Sequence, residues 1–171
     1  MDDDERRARL EALFEAHART VLEYARRRTD HASAADVLSD VFVVAWQRLE
    51  RIPEDALPWL LACARRTLAN QQRGERRRHR LVERLMASTP RIASPAPEIH
   101  DEALAQALAT LSERDREALF LTEWEGLSAK QAARVLGCSP QAFWVRAHRA
   151  RSRLAAALDR PTNTMTMEAT P

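Results

Sequence analysis

Two helix starts lie eleven residues apart near the C-terminal end of the chain, at Ser128 and Ser139, with a single glycine between them. Ser128 is followed three residues later by Gln131, which is the order of a capping box, where both side chains satisfy backbone N–H groups of the first turn. Gly137 suits the left-handed residue that ends a helix, and Pro140 after Ser139 suits the first position of a new one. Helix, glycine-containing turn and helix together predict a helix-turn-helix.

The second of these helices, residues 140–158, has one apolar stripe that we expect to face the core. The stripe consists of Phe143, Ala147, Ala150, Leu154 and Leu158. One flank carries Arg146, Arg149 and Arg153, the other carries Trp144, His148 and Arg151, and Gln141, Val145 and Ser152 point away from the core. This pattern fits a recognition helix, whose outward residues reach base edges while flanking arginines hold phosphates. A solvated helix with arginines on its wet face is the alternative, and the capped helix before it favours DNA binding.

Helical periodicity fills most of the rest of the chain. Three glycines in 171 residues and few alternating β-branched runs predict an all-α protein. Another capping-box order, from Ser112 to Asp115, predicts a helix that begins at Glu113. The predicted helices are residues 4–29, 33–51, 56–79, 98–110, 113–125, 128–136 and 140–158.

The periodicity fails between Leu81 and Ile99, where Pro90, Pro95 and Pro97 are typical of an extended tether. We therefore predict two small helical modules, residues 1–80 and 100–158, joined by a flexible linker at 81–99. The polar tail at 159–171 is predicted to be disordered.

The composition and residue spacing mainly exclude classes of protein and kinds of site. The formal net charge of +2 does not by itself indicate nucleic-acid binding. The segment from Arg65 to Arg80 is nevertheless basic, with seven arginines and one glutamate. Cys63 and Cys138 are isolated and predict reduced thiols in a cytoplasmic protein rather than a zinc site. No apolar run approaches the ~20 residues of a membrane span, and the acidic start does not resemble a signal peptide. The five scattered histidines and the lack of a phosphate loop predict no catalytic residues, no metal and no cofactor.

The first module carries two further stripes at helical spacing. On helix 33–51 a wide apolar face is predicted to be buried; it consists of Val37, Leu38, Val41, Phe42, Ala45 and Leu49. A second face of that helix carries Asp36, Asp40, Val43 and Gln47. On helix 56–79 the stripe consists of Arg66, Asn70, Arg73 and Arg77, a set suited to a DNA backbone plus one base contact. A solvated charged face is the alternative for the arginines.

A family resemblance covers nearly all of the chain outside the linker and the two ends. The second module contains LSERDREALFLTEWEGLSAKQAARVLGCSPQAFWVRAHRARSRL, which resembles the fourth conserved region of bacterial sigma factors, most closely those of the extracytoplasmic-function type. The first module contains LFEAHARTVLEYARRR, AADVLSDVFVVAWQRL and PWLLACARRTLANQQRGERRR, which resemble successive parts of the second region.

The resemblance implies a promoter-recognition subunit that binds core RNA polymerase and promoter DNA. It also allows for an anti-sigma factor as a further partner, whose existence the sequence leaves open. It implies that the first module binds the polymerase clamp and the −10 element, and that the second binds the −35 element. The implied polymerase-binding residues are Asp36, Ser39, Asp40, Val43 and Gln47. The implied DNA-binding residues are Arg66, Asn70, Arg73, Arg77, Ser139, Gln141, Ala142, Val145, Arg146 and Arg149. The loop from Arg51 to Ala56 is implied to trap an unstacked −10 base, while Trp59 beside it is predicted to belong to the core.

Two positions depart from the family pattern. Arg66 stands where the family usually has an asparagine, and Trp144 stands where it commonly has a basic residue. The base preferences of relatives are therefore not carried over to this chain. Two other functions remain open from sequence: a helix-turn-helix regulator that does not depend on core polymerase, and a sigma-like helical adaptor that binds only protein.

Overall fold

The computed structural model describes residues 2–85 and 101–159, and every regular element in these ranges is helical. The α-helices, numbered in chain order, are α1 (Asp3–Arg26), α2 (His31–Gln47), α3 (Leu57–Leu85), α4 (Glu102–Ala109), α5 (Glu113–Leu119), α6 (Ala129–Leu136) and α7 (Pro140–Leu158). A 3-10 turn (Leu49–Arg51) follows α2, and a π-helical turn (Phe120–Trp124) follows α5. The prediction of an all-α protein is confirmed.

The helix-turn-helix forms through the local bonds that its sequence predicts. Ser128 and Gln131 make both halves of the capping box at the start of α6. Gly137 ends α6 in the left-handed conformation, at φ 67° and ψ 38°. The Cys138 N–H then donates to the Ala133 carbonyl at 3.0 Å, a bond that closes the last turn. Ser139 begins α7 by accepting from the Ala142 N–H at 3.1 Å.

The start of α5 departs from the capping box predicted there. Ser112 accepts from the Asp115 N–H at 3.2 Å, which is one half of the box. The Asp115 carboxylate instead accepts from Arg153 Nη1 of α7 at 2.6 Å. The acidic residue thus ties two helices together and does not cap its own helix.

The first module is built from α1, α2 and α3, which pack on one another. Within the apolar face predicted for α2, four residues are buried: Val37, Val41, Phe42 and Ala45. Leu38 is only half-buried, and Leu49 is buried in the 3-10 turn that follows α2. Trp59 is half-buried and packs against this core, as predicted.

Helix α3 is longer than predicted, and the last turn of α7 is more exposed than predicted. Helix α3 continues to Leu85, six residues beyond the predicted end at residue 79 and into the segment predicted to be the linker. The remaining linker residues up to 99, and the predicted tail from residue 160 onward, lie outside the described residues. At the end of α7, Leu158 was predicted to be buried but is 45% exposed. All but one of residues 155–159 are exposed, so neighbouring helices do not cover the last turn of α7.

The second module has a small core of its own. This core consists of Leu108, Leu111, Leu119, Phe120 and Ala150, with Leu104 and Leu154 packed against it. Most of the other buried apolar side chains of the second module belong to the core of the first module. They include Leu127, Ala132, Val135 and Phe143, and α6 packs directly on α3. None of the described helices has the length and apolar character needed to cross a membrane.

Candidate nucleic-acid interface

The outward face of α7 is open to solvent near the start of the helix. Gln141, Ala142, Val145 and Arg149 are exposed there, while Phe143 and Ala147 anchor the opposite face in the core. This division follows from the apolar spacing of the helix, which leaves the predicted base-reading positions free.

The arginines of α7 fall into two groups. Arg151 donates to the Glu123 carboxylate at 2.7 Å, and Arg153 binds Asp115. Both ion pairs brace α7 against the preceding helices of its own module. Arg146 and Arg149 make no ion pair with a carboxylate among the described residues, so their charge is available to a partner. These two are the α7 arginines that the sequence assigned to DNA.

Trp144 lies on the surface of α7 and is 59% exposed. Its indole stacks on the His148 ring, with the centroids 5.4 Å apart and the planes 3° from parallel. This stacked pair lies next to the predicted base-reading positions.

The basic stripe predicted on α3 is also exposed along its length: Arg66, Asn70, Arg73 and Arg77. The Arg73 guanidinium donates to Asn70 Oδ1, which fixes the amide and leaves its N–H groups directed away from that arginine. Arg77 Nε donates to the Arg73 carbonyl at 3.4 Å. No carboxylate among the described residues pairs with this stripe, so it presents uncompensated positive charge.

The α2 face assigned to the polymerase is exposed at all five predicted positions: Asp36, Ser39, Asp40, Val43 and Gln47. Val43 is 54% exposed and lies between polar neighbours. The Ser39 hydroxyl donates to the Ala35 carbonyl at 3.1 Å and is held close to its own helix. A single exposed valine among polar residues is common on protein surfaces, so its exposure permits a protein contact but does not by itself indicate one.

Sequence reasoning missed two exposed aromatic side chains near this face. Trp46 lies three residues after Val43 and is partly exposed under the Arg6 guanidinium, whose carbon is 4.9 Å from the ring centroid. Phe14 of α1 meets Phe42 edge to face, with the centroids 4.9 Å apart, beside a shallow apolar groove. The spacing of Trp46 after Val43 was visible in the sequence, whereas the exposure of Phe14 depends on how α1 and α2 cross.

The two cysteines do not form a chemical site. Burial raises the pKa of the Cys63 thiol, which keeps it protonated and weakly nucleophilic. Cys138 is a free, half-buried thiol at the glycine turn. Within residues 2–85 and 101–159, no group of His, Cys, Asp and Glu side chains is arranged to hold a metal ion.

Comparison with known proteins accounts for both modules. Residues 13–78 match the family described as Sigma-70 region 2, and residues 101–154 match Sigma-70, region 4. The chain is 31% identical to the ECF RNA polymerase sigma factor SigL of Mycobacterium tuberculosis, over 82% of this chain and 84% of that protein. It is 31% identical to RNA polymerase sigma factor NccH of Alcaligenes xylosoxydans xylosoxydans, over 85% of this chain and 84% of that one.

Two solved structures share the fold. The sigma factor RpoE of Bartonella quintana, in complex with the anti-sigma factor NepR, aligns with a TM-score of 0.67. That alignment covers 88% of this chain and 97% of that one at 22% identity. CnrH, in complex with the cytosolic domain of CnrY, aligns with a TM-score of 0.63 over 90% of this chain and 89% of that one, at 26% identity.

Both regions occur in the expected order, and the curated relatives are aligned over most of their length. The chain belongs to the sigma-70 family as an RNA polymerase sigma factor of the extracytoplasmic-function type, a subunit that joins core polymerase and directs promoter-specific transcription initiation.

Proposed function

We propose that this sigma factor reads the −35 element with α7, binds the −10 element with α3 and contacts the polymerase clamp with α2. The observation that carries the proposal is the division of the α7 arginines. Arg151 and Arg153 are neutralised inside the module, whereas Arg146 and Arg149 remain uncompensated beside the exposed Gln141. A helix that only needed solubility has no reason to sort its charges in this way.

On α7, the side chains nearest the helix start are placed to read bases. A glutamine amide pairs with adenine edges, and an apolar side chain contacts the thymine methyl, which suits Gln141 and Val145. Ser139 and Ala142 are small enough to let the helix approach the groove closely. Arg146 and Arg149 then hold phosphates and set the register.

On α3, the exposed arginines track the DNA backbone near the −10 element, and Asn70 is the one side chain suited to a base. Its amide oxygen already accepts one bond from Arg73, and its two N–H donors and the second lone pair of the oxygen are left for a base. Arg66 replaces the asparagine usual in the family and extends the positive stripe by one turn. The loop from Arg51 to Ala56 precedes this stripe, as a loop that traps an unstacked base would.

On α2, the contact with polymerase centres on Val43, with Asp40 and Gln47 on either side along the same face. This acidic and apolar surface is suited to a partner surface that carries basic side chains around an apolar centre. The protein itself performs no chemistry and acts in the cytoplasm, where RNA polymerase works. Solved relatives are bound to an anti-sigma factor or to the cytosolic domain of CnrY, so we include an anti-sigma factor among its partners.

Transcription from a library of promoters, with purified core polymerase and the full chain, tests the proposal directly. We expect defined start sites that depend on both proteins. Asp40→Arg reverses a charge at the proposed polymerase contact and should weaken holoenzyme assembly by at least ~10-fold. The matched control is Glu11→Arg, an equal charge reversal at an exposed position of α1 outside that face.

Three results separate the functions left open by the sequence. Specific promoter binding by the chain without core polymerase would indicate an independent regulator. Assembly with polymerase but no sequence preference would indicate a protein-binding adaptor. Normal assembly of the Asp40→Arg protein would remove α2 from the polymerase contact.

A further inference from the structure

The two modules are joined by more than the chain that links them. Side chains of α6 and α7 complete the core of the first module, as Ala132, Ala133 and Phe143 are buried in the same cluster as Leu60 of α3. Helices α3 and α6 form the centre of this joint. An apolar surface of this kind is covered only while the modules stay together.

A buried network of charges crosses the joint at Arg28, just after α1. Arg28 Nε donates to Glu117 Oε2 of α5 at 2.9 Å, and its Nη1 donates to Glu125 Oε1 at 3.3 Å. The same Nη1 donates to the Tyr24 carbonyl at 2.8 Å, and the guanidinium lies 3.5 Å from the centre of the Tyr24 ring. One arginine of the first module therefore holds two carboxylates of the second.

The neighbours of Arg28 complete the network. The Tyr24 hydroxyl donates to Glu117 Oε1 at 2.8 Å, and the Arg27 guanidinium donates to Glu125. The Glu125 side chain is 1% exposed, and all its ion-pair partners among the described residues come from the other module. Its charge is thus compensated only in the closed arrangement.

The π-helical turn explains how both glutamates reach Arg28. In an unbroken α-helix, residues 117 and 125 would lie about 80° apart around the axis. The turn at Phe120–Trp124 is wider and closes with a bond from the Glu125 N–H to the Phe120 carbonyl at 3.0 Å. This wider turn rotates Glu125 towards the face that carries Glu117. A π turn costs regular hydrogen bonding, and here it positions a carboxylate in the joint.

A second contact closes the other side of the joint. Asp55, in the loop before α3, accepts from Gln131 Nε2 at 3.2 Å and from Arg134 Nη1 at 3.1 Å. Both α6 residues are accessible to solvent, so this pair is weaker than the buried network. It fixes the orientation of α6 against the loop.

In the closed arrangement, α3 and α7 lie too close together to contact the −10 and −35 elements at the same time. Helices α3 and α7 both pack on α6, and packed helices lie ~8–10 Å apart, so their axes are at most about 20 Å apart where they pass α6. The −10 and −35 elements are about 25 base pairs apart, or roughly 85 Å along B-DNA at ~3.4 Å per pair. Even the full length of α3 does not bridge this difference, since 29 residues span about 44 Å.

We propose that the contact between Arg28 of the first module and Glu117 and Glu125 of the second is an intramolecular lock that holds the free sigma factor closed. Opening the lock is required before α3 and α7 can engage both promoter elements. That requirement rests on the proposed function, whereas the lock itself does not. Core polymerase opens it by binding the two modules at separate places, because only a partner with higher affinity for the open form shifts the equilibrium.

Because its charges are buried, the lock depends on every member of the network being present. If one member is removed while the modules stay packed, the remaining charges are buried without compensation. When the modules separate, every member of the network returns to water and none is left unpaired. A mutation of a single carboxylate therefore shifts the equilibrium towards the open form, although opening still uncovers the apolar surface of the joint.

The test compares two glutamates that lie two positions apart. Glu125→Gln removes a buried charge from the joint, and Glu123→Gln is the matched control, since Glu123 pairs with Arg151 inside the second module. Small-angle scattering of the full chain should show a compact wild type and control, and a larger radius of gyration for Glu125→Gln. We expect the opening equilibrium to change by at least ~10-fold. The variant should also assemble with core polymerase at a lower concentration.

A milder variant keeps the test decisive if Glu125→Gln does not fold, as judged by its helical circular dichroism. Tyr24→Phe retains the ring under Arg28 and removes only the hydroxyl that binds Glu117, so it should open the joint to a smaller extent. Equal compactness of the folded variants and the wild type would refute the lock. Expansion of the variant without promoter-specific transcription by any of the proteins would support the lock and overturn the proposed function instead.

Discussion

The arginines that follow α1 and two of the arginines of α7 differ in whether a carboxylate pairs with them. Arg27 and Arg28 are directed into the joint and bind carboxylates of the other module, whereas Arg146 and Arg149 have no carboxylate partner among the described residues. The sequences around them, EYARRR and VRAHRARSRL, are both rich in arginine and offer no obvious distinction. What separates them is whether a glutamate from a distant segment lies opposite in the fold. An arginine run predicts a DNA contact only where the fold leaves it unpaired.

The largest expected effect concerns stability and compares the largely buried Arg28 with the exposed Arg149. Arg28→Ala leaves Glu117 and Glu125 unpaired for as long as the joint stays closed. It should lower the free energy of unfolding of the closed form by up to about 3 kcal/mol, and the loss cannot exceed the free energy gained when the joint closes. Arg149→Ala removes an exposed side chain and should change that free energy by less than about 0.5 kcal/mol. Urea unfolding followed by circular dichroism measures both. Equal stabilities of the two variants would show that the network in the joint contributes nothing.

The next effect concerns the exposed residues of α7 and distinguishes base reading by Gln141 from phosphate binding by Arg149. Gln141→Ala should cost about 1–3 kcal/mol at one base pair of the −35 element and relax the preference there. Arg149→Ala should weaken binding to matched and mismatched elements alike. The measurement is binding of the reconstituted holoenzyme to a library of −35 variants at two salt concentrations. A uniform loss with Gln141→Ala would assign that residue to the backbone.

A smaller effect concerns Trp144, which lies on the exposed surface of α7 where relatives commonly carry a basic residue. Trp144→Arg should increase DNA affinity for all sequences and raise the salt dependence by about one phosphate contact. Ala142→Arg is a useful comparison, because it places the same charge at the predicted groove contact, where a large side chain should instead reduce affinity. Unchanged affinity of the Trp144→Arg protein at both salt concentrations would place the indole against protein rather than DNA.

Local chemistry explains which parts of this molecule the sequence could predict. The helix-turn-helix depends on bonds within a few residues of Ser128, Gly137 and Ser139, and such bonds are visible as short patterns. The stripes of α2, α3 and α7 follow from helical spacing alone, and all the side chains assigned to partners are at least partly exposed. Their roles in binding stay predictions, because exposure alone does not identify a partner.

The features that were missed depend on contacts between distant segments. Asp115 has the spacing of a capping residue, yet Arg153 of α7 binds its carboxylate 38 positions later in the chain. The partners Arg28 and Glu117 are 89 positions apart, and nothing local in the chain pairs them. The π turn before Glu125 also has no short sequence signature, so the predicted helix 113–125 was continuous. Packing of the two modules on each other was likewise beyond what periodicity contains.

The smallest expected effect concerns Glu123 and completes the contrast with Glu125. Hydrogen bonds from Arg151 lower the pKa of Glu123, with a further contribution from Thr122. A carboxylate whose pKa is lowered by folding stabilises the protein above its unfolded pKa of about 4.3, and this contribution is lost as the pH falls through the lower, folded pKa.

Because the Glu123–Arg151 pair is half-exposed and screened by solvent, we expect its contribution to the free energy of unfolding to be less than about 1 kcal/mol. Urea unfolding between pH 7 and roughly pH 3 should therefore show a slightly smaller loss of stability for Glu123→Gln than for the wild type. An equal pH dependence of the two proteins would mean that the Arg151 pair does not form in solution. Arg151 would then join Arg146 and Arg149 as a charge available to DNA.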